Sequence, residues 1–409
     1  MNVFPLRTGA ALRAKAIGAS STVLGYAVPR RPAPNVASVR RVVVVKPASL
    51  GDVILSSAAI GALRAALPHA HLSLAVGTWS LPAAHGIPGV DAVVDLGNFG
   101  TPGRFGLGDV PAAVRMFRRG RYDLAVVLDR SPIVAVAPLL AGIPWRAGID
   151  SAGRGFAHGI RVRWAKQCHE ADLYLQVVRA ATAREGVHEV VSPPALAFEP
   201  GVEARVEAAA YWREAGLDSA GGPVLVIHPG GGSNPGMSLN AKRWPPERFG
   251  AVAQALGSVG ARVVVVGDRS DQPTVTAMKH STGTPMVDLS GRLGFATLAA
   301  LIGRADAYLG NDSVPLHLAV AMGTPSVALY GPTDPRMYGP YAPISGPYEG
   351  RGMGLVSPEA CSQQRPFRPG PIMACAGCRC IDLIKPTEVA RAVVTMISKG
   401  RDADGAPFR

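Results

Sequence analysis

The apolar positions of this chain fall into short blocks that alternate in kind. Residues 42–45 are four consecutive valines, the continuous apolar run of a strand buried on both faces. After a turn, residues 53–67 carry apolar positions at helical spacing, and residues 71–76 return to a strand pattern. Short strands follow at 92–96 and 124–128, with a helix at 111–118 between them. The second half opens in the same way: a strand at 224–227, a glycine-rich loop, a helix at 246–256 and a strand at 262–266. A helix at 296–302, a strand at 305–309, a helix at 314–322 closed by Gly323 and a strand at 326–330 complete the pattern. Strand, helix, strand with short turns means parallel pairing and right-handed crossovers.

The expected fold class is therefore α/β, with two Rossmann-like doubly wound parallel-sheet domains facing a central cleft. A chain of 409 residues, 48% hydrophobic and 17% charged, suits two such cores. The stretch 192–222, proline-rich at its start and glycine-rich at its end around one predicted helix at 202–215, marks the division. The predicted organisation is a basic, disordered extension (1–40), an N-terminal domain (41–200), a linker region (201–222), a C-terminal domain (223–395) with a cysteine-rich segment (361–380), and a tail (396–409). Strand carboxyl ends from both domains would line the cleft, the expected place for an active site. No apolar run reaches the roughly 20 residues a bilayer span needs. The longest candidate, 133–143, is broken by Pro138 and reads as a core element.

Charge changes the picture in one respect. The net charge is +13 and the pI about 9.9, which favours anionic partners. Residues 1–41 hold Arg7, Arg13, Lys15, Arg30, Arg31, Arg40 and Arg41 and no acidic residue. Disorder, a basic arm on an anionic membrane leaflet, and a signal peptide are the three readings, in that order; the segment 16–28 is too interrupted for a good apolar centre. With 6% aromatic residues and no RNA-recognition or zinc-finger signature, no nucleic-acid partner is expected.

Candidate chemistry begins at "LGNDSVPLHLAVAMGTPSVALYGPTDP", residues 309–335. The helix predicted after the strand there would point its unpaired N–H groups at the carboxyl edge of the sheet, where an anion such as phosphate is held. No G-x-G-x-x-G follows residues 42–45, which disfavours a nicotinamide-dependent oxidoreductase.

Three segments, "KPASLGDVILSSAAIGALRAALPHA", "HPGGG" with "KRWPPERF", and "DLSGRLGFATLAALIGRADAYLGNDSVPLHLAVAMGTPSVALYGPTDP", resemble the signatures of glycosyltransferase family 9, the ADP-heptose:lipopolysaccharide heptosyltransferases and their relatives. The resemblance runs from about residue 42 to 394, with the motifs in the family's order and spacing. It implies a GT-B fold, a nucleotide-sugar donor held by the C-terminal domain, an ADP-sugar foremost, and a glycan or glycolipid acceptor held by the N-terminal domain. It further implies inverting transfer that needs no metal or other cofactor, at the cytoplasmic side of the inner membrane. A sugar-nucleotide epimerase of the same fold and a catalytically silent nucleotide-sugar-binding protein are the alternatives.

The resemblance implies that Asp52 is the general base, in Ser49-Leu50-Gly51-Asp52; as plain chemistry it is also a good helix cap. A carboxylate at a helix N-terminus is stabilised as the anion, so its proton uptake comes late in the reaction. Gly51 would bring backbone close to the substrate, Ser49 and Gly51 are candidate contacts for acceptor or phosphate, and Lys46 either makes such a contact or is a solvated strand end. Lys242 matches the family lysine on the donor diphosphate, in a loop shaped by His228, Gly230 and Gly231. His228 reads as a hydrogen-bonded structural histidine before a catalytic acid, Arg243 as outward-facing and Trp244 as core. Asp271 stands where relatives contact the ribose. Asn311, Asp312 and Ser313 would present groups to the donor, with Asp312 instead capping the helix or binding a sugar hydroxyl or His317. His317 faces the cleft or fills the domain interface. Val314 replaces the family's usual glycine, where a β-branched side chain would crowd a phosphate. Cys361, Cys375, Cys378 and Cys380 either hold a structural zinc or are unligated thiols, and Cys168 reads as core.

Overall fold

The computed structural model describes residues 28–164, 168–183, 194–219, 221–235, 237–342, 350–357 and 380–404. Its first sheet is built from β1 (Arg41–Val45), β2 (His71–Val76), β3 (Ala92–Asp95), β4 (Leu124–Val127), β5 (Trp145–Asp150) and β6 (Ile160–Arg163), ordered β3-β2-β1-β4-β5-β6. The second begins with β7 (Val224–His228), followed by a short antiparallel hairpin of β8 (Ser233–Asn234) and β9 (Met237–Ser238). The remaining strands are β10 (Arg262–Val265), β11 (Met286–Asp288), β12 (Ala307–Asn311), β13 (Ser326–Tyr330) and β14 (Gly352–Val356). Their order, β11-β10-β7-β12-β13-β14, repeats that of the first sheet, and all ten pairings in the two sheets are parallel. In both sheets the first strand in sequence lies centrally, where the order reverses. That reversal opens a crevice at the strand carboxyl ends.

The valine run predicts its own position. Val42, Val43, Val44 and Val45 are each at most 1% exposed, because β1 has a strand on either side and helices on both faces. Val43 and Val45 join one core with Phe99 and Phe117, and Val42 and Val44 join the other with Val53 and Leu63. The single helix expected at 53–67 forms as two, Leu50–Leu55 and Ser57–Ala66. Between them Ser56 donates its hydroxyl to the Val53 carbonyl at 2.6 Å, a local bond that competes with the helical ladder. The first helix starts earlier than expected and takes Gly51 and Asp52 into its first turn.

Three segments at the limits of the expected units are packed against the cores. The segment from residue 28 onward packs on the first domain, with the Arg31 N–H on the Gly159 carbonyl at 3.1 Å and Arg161 on the Val28 carbonyl at 2.8 Å. Residues 1–27 lie outside the described residues. The expected linker helix, Gly201–Glu214, packs on the helix Phe295–Ile302, with Thr297 donating to Glu207 at 2.6 Å. The last helix, Pro386–Asp404, runs through the expected end at 395 and covers β12, β13 and β14. No described helix is long and apolar enough to cross a membrane.

The two sheets meet through one apolar cluster. Val53, Leu55 and Leu173 of the first half pack with Leu316, Leu318 and Tyr330 of the second. Polar contacts border it: His169 Nε2 lies 3.1 Å from the Gly339 carbonyl, and Tyr341 donates to Asp172 at 2.9 Å.

Candidate active site

At the carboxyl end of β1 the chain turns directly into the helix Leu50–Leu55. Asp52, in the first turn, accepts from the Ser49 N–H at 3.1 Å and the Ser49 hydroxyl at 3.2 Å. This is one arm of a capping box, so Asp52 does serve the helix. Its side chain is still 27% exposed. Lys46, at the end of β1, is buried, not solvated: its ammonium lies 3.5 Å from Asp52 and 3.5 Å from Asp129, over the Tyr174 ring. Burial pulls the Lys46 pKa down, but Asp52, Asp129 and Glu170 together outweigh it and raise it above the ordinary value. Burial likewise opposes ionisation of Asp52, yet Lys46 and the Ser49 N–H hold its carboxyl below the usual range. Asp52 is an anion at neutral pH and a weak base, which takes a proton only from a strongly acidic donor.

Asp129 and Glu170 are absent from the sequence reading. Asp129 lies two residues past the end of β4 and accepts from the Ser131 N–H at 2.7 Å. An acid just past the apolar run of a buried strand, at a sheet's carboxyl edge, is a signal that could have found it. Glu170 has no such signal; it starts the helix Glu170–Thr182, is 1% exposed, and pairs with Arg130.

The second half supplies the facing wall. Lys242 closes a short turn, Asn240–Lys242, and its ammonium lies 2.6 Å from Asp312. Burial pushes the Asp312 pKa up, but Lys242 reverses this and holds it low. Asp312 is thus the partner that fixes the Lys242 ammonium at this wall. His317, 5% exposed, lies on the helix Val314–Ala321, which packs against the helix Leu50–Leu55 across the cleft. A Cβ added to Gly51 would sit 2.9 Å from His317 Cδ2, so the missing side chain of Gly51 serves the approach of this histidine. Val314 Cγ2 would lie 3.9 Å from that same Cβ, so this valine faces the first domain and not only the donor loop. His317 Nδ1 is buried without a hydrogen-bond partner among the described residues. Burial takes its pKa down to about 4, against the pull of Asp312 and Asp52, so the ring is neutral at pH 7.

Asn311 is where the resemblance has a donor contact, but its side chain is fully engaged inside the protein. It is 0% exposed, accepts from the Trp244 N–H at 3.0 Å and donates to the Pro229 and Gly230 carbonyls at 3.0 Å each. It ties the Lys242 loop and the loop after β7 to the end of β12. Asp271 is likewise turned inward, 4% exposed, beneath that loop. Its carboxylate lies 3.2 Å from His228 Nε2 and accepts from the Gly231 N–H at 3.3 Å. Burial opposes its ionisation, but His228 and the Asp268 and Gly231 N–H groups bring its pKa down to about 2. His228 Nδ1 in turn lies 3.1 Å from the Ser313 hydroxyl. Gly230 and Gly231 roof this chain: a Cβ on Gly230 would sit 2.0 Å from Asp271, and Gly231 has φ +105 with Ser313 Cβ 2.8 Å from the added carbon. Only glycine fits either place. Arg243 is half-buried, not outward-facing, and donates to the Gly231 carbonyl at 2.6 Å. Trp244 is core, 0% exposed.

Of the candidate zinc ligands, Cys361, Cys375 and Cys378 lie outside the described residues and Cys380 is buried. Among the described residues no group of three or more His, Cys, Asp or Glu is arranged to hold a metal. Cys168 is partly buried against the core and accepts from Gln176 at 3.3 Å.

Two facing sheets of identical strand order, with a carboxylate at the tip of the first and a lysine beside a helix N-terminus at the tip of the second, make the two-domain arrangement of the GT-B fold. The chain belongs to glycosyltransferase family 9 (heptosyltransferase), whose model matches residues 111–352. It is 26% identical over 307 residues to lipopolysaccharide heptosyltransferase 2 of Escherichia coli K12, covering 72% of this chain and 84% of that relative. Among solved structures, the family 9 glycosyltransferase of Veillonella parvula matches with TM-score 0.71 at 24% identity, over 90% of this chain and 98% of that one. The E. coli ADP-heptose lipopolysaccharide heptosyltransferase II matches with TM-score 0.64 at 21% identity, over 88% and 99%. These likenesses show the fold.

Proposed function

We propose that this glycosyltransferase moves a heptose from an ADP-linked donor to a lipopolysaccharide-type glycolipid, with inversion and without a metal. The names of its relatives support the sugar, the nucleotide and the acceptor class. The observation that carries the mechanism is the opposition of Asp52 and the Lys242–Asp312 pair across a cleft closed by the Gly51–His317 approach. Lys242 and the amide end of the helix Val314–Ala321 bind the donor diphosphate and neutralise the charge that grows as it leaves. The acceptor hydroxyl attacks the anomeric carbon from the opposite side, which inverts it. Asp52 takes the acceptor proton once the oxygen has begun to bond to the sugar, as its depressed pKa requires. Lys46 and Asp129 hold Asp52 in place. Asn311 and Asp271 act from behind, by fixing the loops that carry the contact groups. The basic residues near the N-terminus would rest on an anionic membrane surface, bringing the enzyme to a membrane-bound acceptor at its cytoplasmic face.

The test is transfer from ADP-heptose to heptose-deficient lipopolysaccharide, followed by release of ADP. Wild type is expected to release ADP in step with acceptor modification, and Asp52→Asn to lose transfer while still binding ADP. ADP release without acceptor, or full activity in Asp52→Asn, would refute the proposal.

A further inference from the structure

The hydrogen-bonded chain beneath Gly230 and Gly231 presents a proton-counting problem. Asp271 receives the Gly231 N–H at 3.3 Å and the Asp268 N–H at 3.1 Å, so it is an acceptor throughout and His228 Nε2 must carry a hydrogen toward it. At the other end the Ser313 hydroxyl lies 3.1 Å from His228 Nδ1 and 3.2 Å from the Asn311 carbonyl. One hydroxyl hydrogen cannot serve both. With a neutral ring, Ser313 donates to Nδ1. With a protonated ring, Nδ1 donates to Ser313, whose own hydrogen is then released to point elsewhere. The two arrangements differ by one proton.

Ser313 is the residue immediately before the helix Val314–Ala321, the place where the donor diphosphate is read to sit. We propose that Asp271, His228 and Ser313 form a proton relay that serves the departing diphosphate of the donor. The proposal rests on the donor-site reading above and adds residues to it. In the step, the Nδ1–H bond of the imidazolium breaks as an Oγ–H bond forms on Ser313. The original Oγ–H bond breaks as its proton passes to a phosphate oxygen. Ser313 is restored, the ring becomes neutral, and the diphosphate leaves with one negative charge fewer. Asp271 is a positioning residue: it fixes the ring's tautomer and stabilises the imidazolium, the part a carboxylate plays behind a catalytic histidine. The other groups near this chain are Tyr308, kept protonated by burial, Arg243 on the Gly231 carbonyl, and the Lys242–Asp312 pair. Tyr308 also interacts with Ser313 through its hydroxyl, which is buried and stays protonated beside the relay without titrating in it.

Calorimetry of ADP binding in buffers of different ionisation enthalpy reads the proton directly. At alkaline pH, wild type is expected to take up a proton when ADP binds, and His228→Gln and Ser313→Ala to lose that uptake while still binding ADP. Single-turnover transfer from ADP-heptose should slow on the alkaline side in wild type. In His228→Gln it should be slower by about 10²-fold, the lower end of general acid catalysis, with that alkaline limb gone. Proton uptake unchanged in His228→Gln, or an alkaline limb that persists in it, would overturn the relay and leave the chain a scaffold. Normal proton linkage without any heptose transfer would sink the functional reading instead. Circular dichroism of Ser313→Ala, which removes one hydroxyl, guards against loss of fold.

Discussion

Asn311→Ala separates a strut from a ligand. The side chain makes three hydrogen bonds, to the Trp244 N–H and to the Pro229 and Gly230 carbonyls, all at 3.0 Å and all in a site with no exposure. At about 1 kcal/mol net per bond the loss is about 3 kcal/mol. An orphaned Trp244 N–H raises this to roughly 5 kcal/mol, since an unsatisfied buried donor costs about 1–3 kcal/mol. Alanine offers no replacement donor or acceptor. For a domain of this size about 1 kcal/mol moves Tm by roughly 2–4 °C, so the variant should melt on the order of 10 °C lower. Differential scanning calorimetry with and without ADP is the assay. A Tm fall with ADP affinity reduced because two loops loosen supports the strut. A Tm within about 2 °C of wild type together with lost ADP binding would refute it and restore Asn311 as a direct donor ligand.

Lys242→Ala removes a charge-assisted contact worth about 1.5–3 kcal/mol, so ADP affinity should fall roughly 10- to 150-fold by calorimetry. Gly51→Ala places a Cβ 2.9 Å from His317 Cδ2 and should slow transfer, with partial recovery in the pair Gly51→Ala, His317→Ala, measured as kcat. The His317 pKa is depressed to about 4, so the unfolded chain binds the extra proton first as pH falls. Stability should therefore drop between about pH 6.5 and 4, and urea titrations of His317→Leu should show a shallower drop over that window. Asp271, with a pKa of about 2, contributes stability that is present above about pH 4 and lost toward pH 2; Asp271→Asn should flatten that acid limb.

Much of the fold was legible because strands buried on both faces must be apolar throughout. β1, β2 and β13 appear within a residue or so of their predicted bounds. β6, with the sequence IRVR, and β14, with GMGLV, carry too few consecutive apolar residues to stand out at the sheet edge. The split at Ser56 depends on one hydroxyl bond and leaves no trace in the apolar spacing. In the site, the motifs led to Asp52, Lys242, Asp312 and His317, which the structure brings to the cleft. They did not reveal that Lys46 lies between two carboxylates or that Asp271 and Asn311 point inward.

The sequence alone determined that this chain makes two parallel-sheet units and which loops carry the polar chemistry, because backbone pairing and apolar burial are set by local periodicity. Only the tertiary structure decided what each polar group touches. The chain Asp271–His228–Ser313 joins residues 43 and 85 positions apart, and Gly51 meets His317 across two domains. A side chain's partners, charge state and direction depend on atoms distant in the chain, and periodicity carries no record of them.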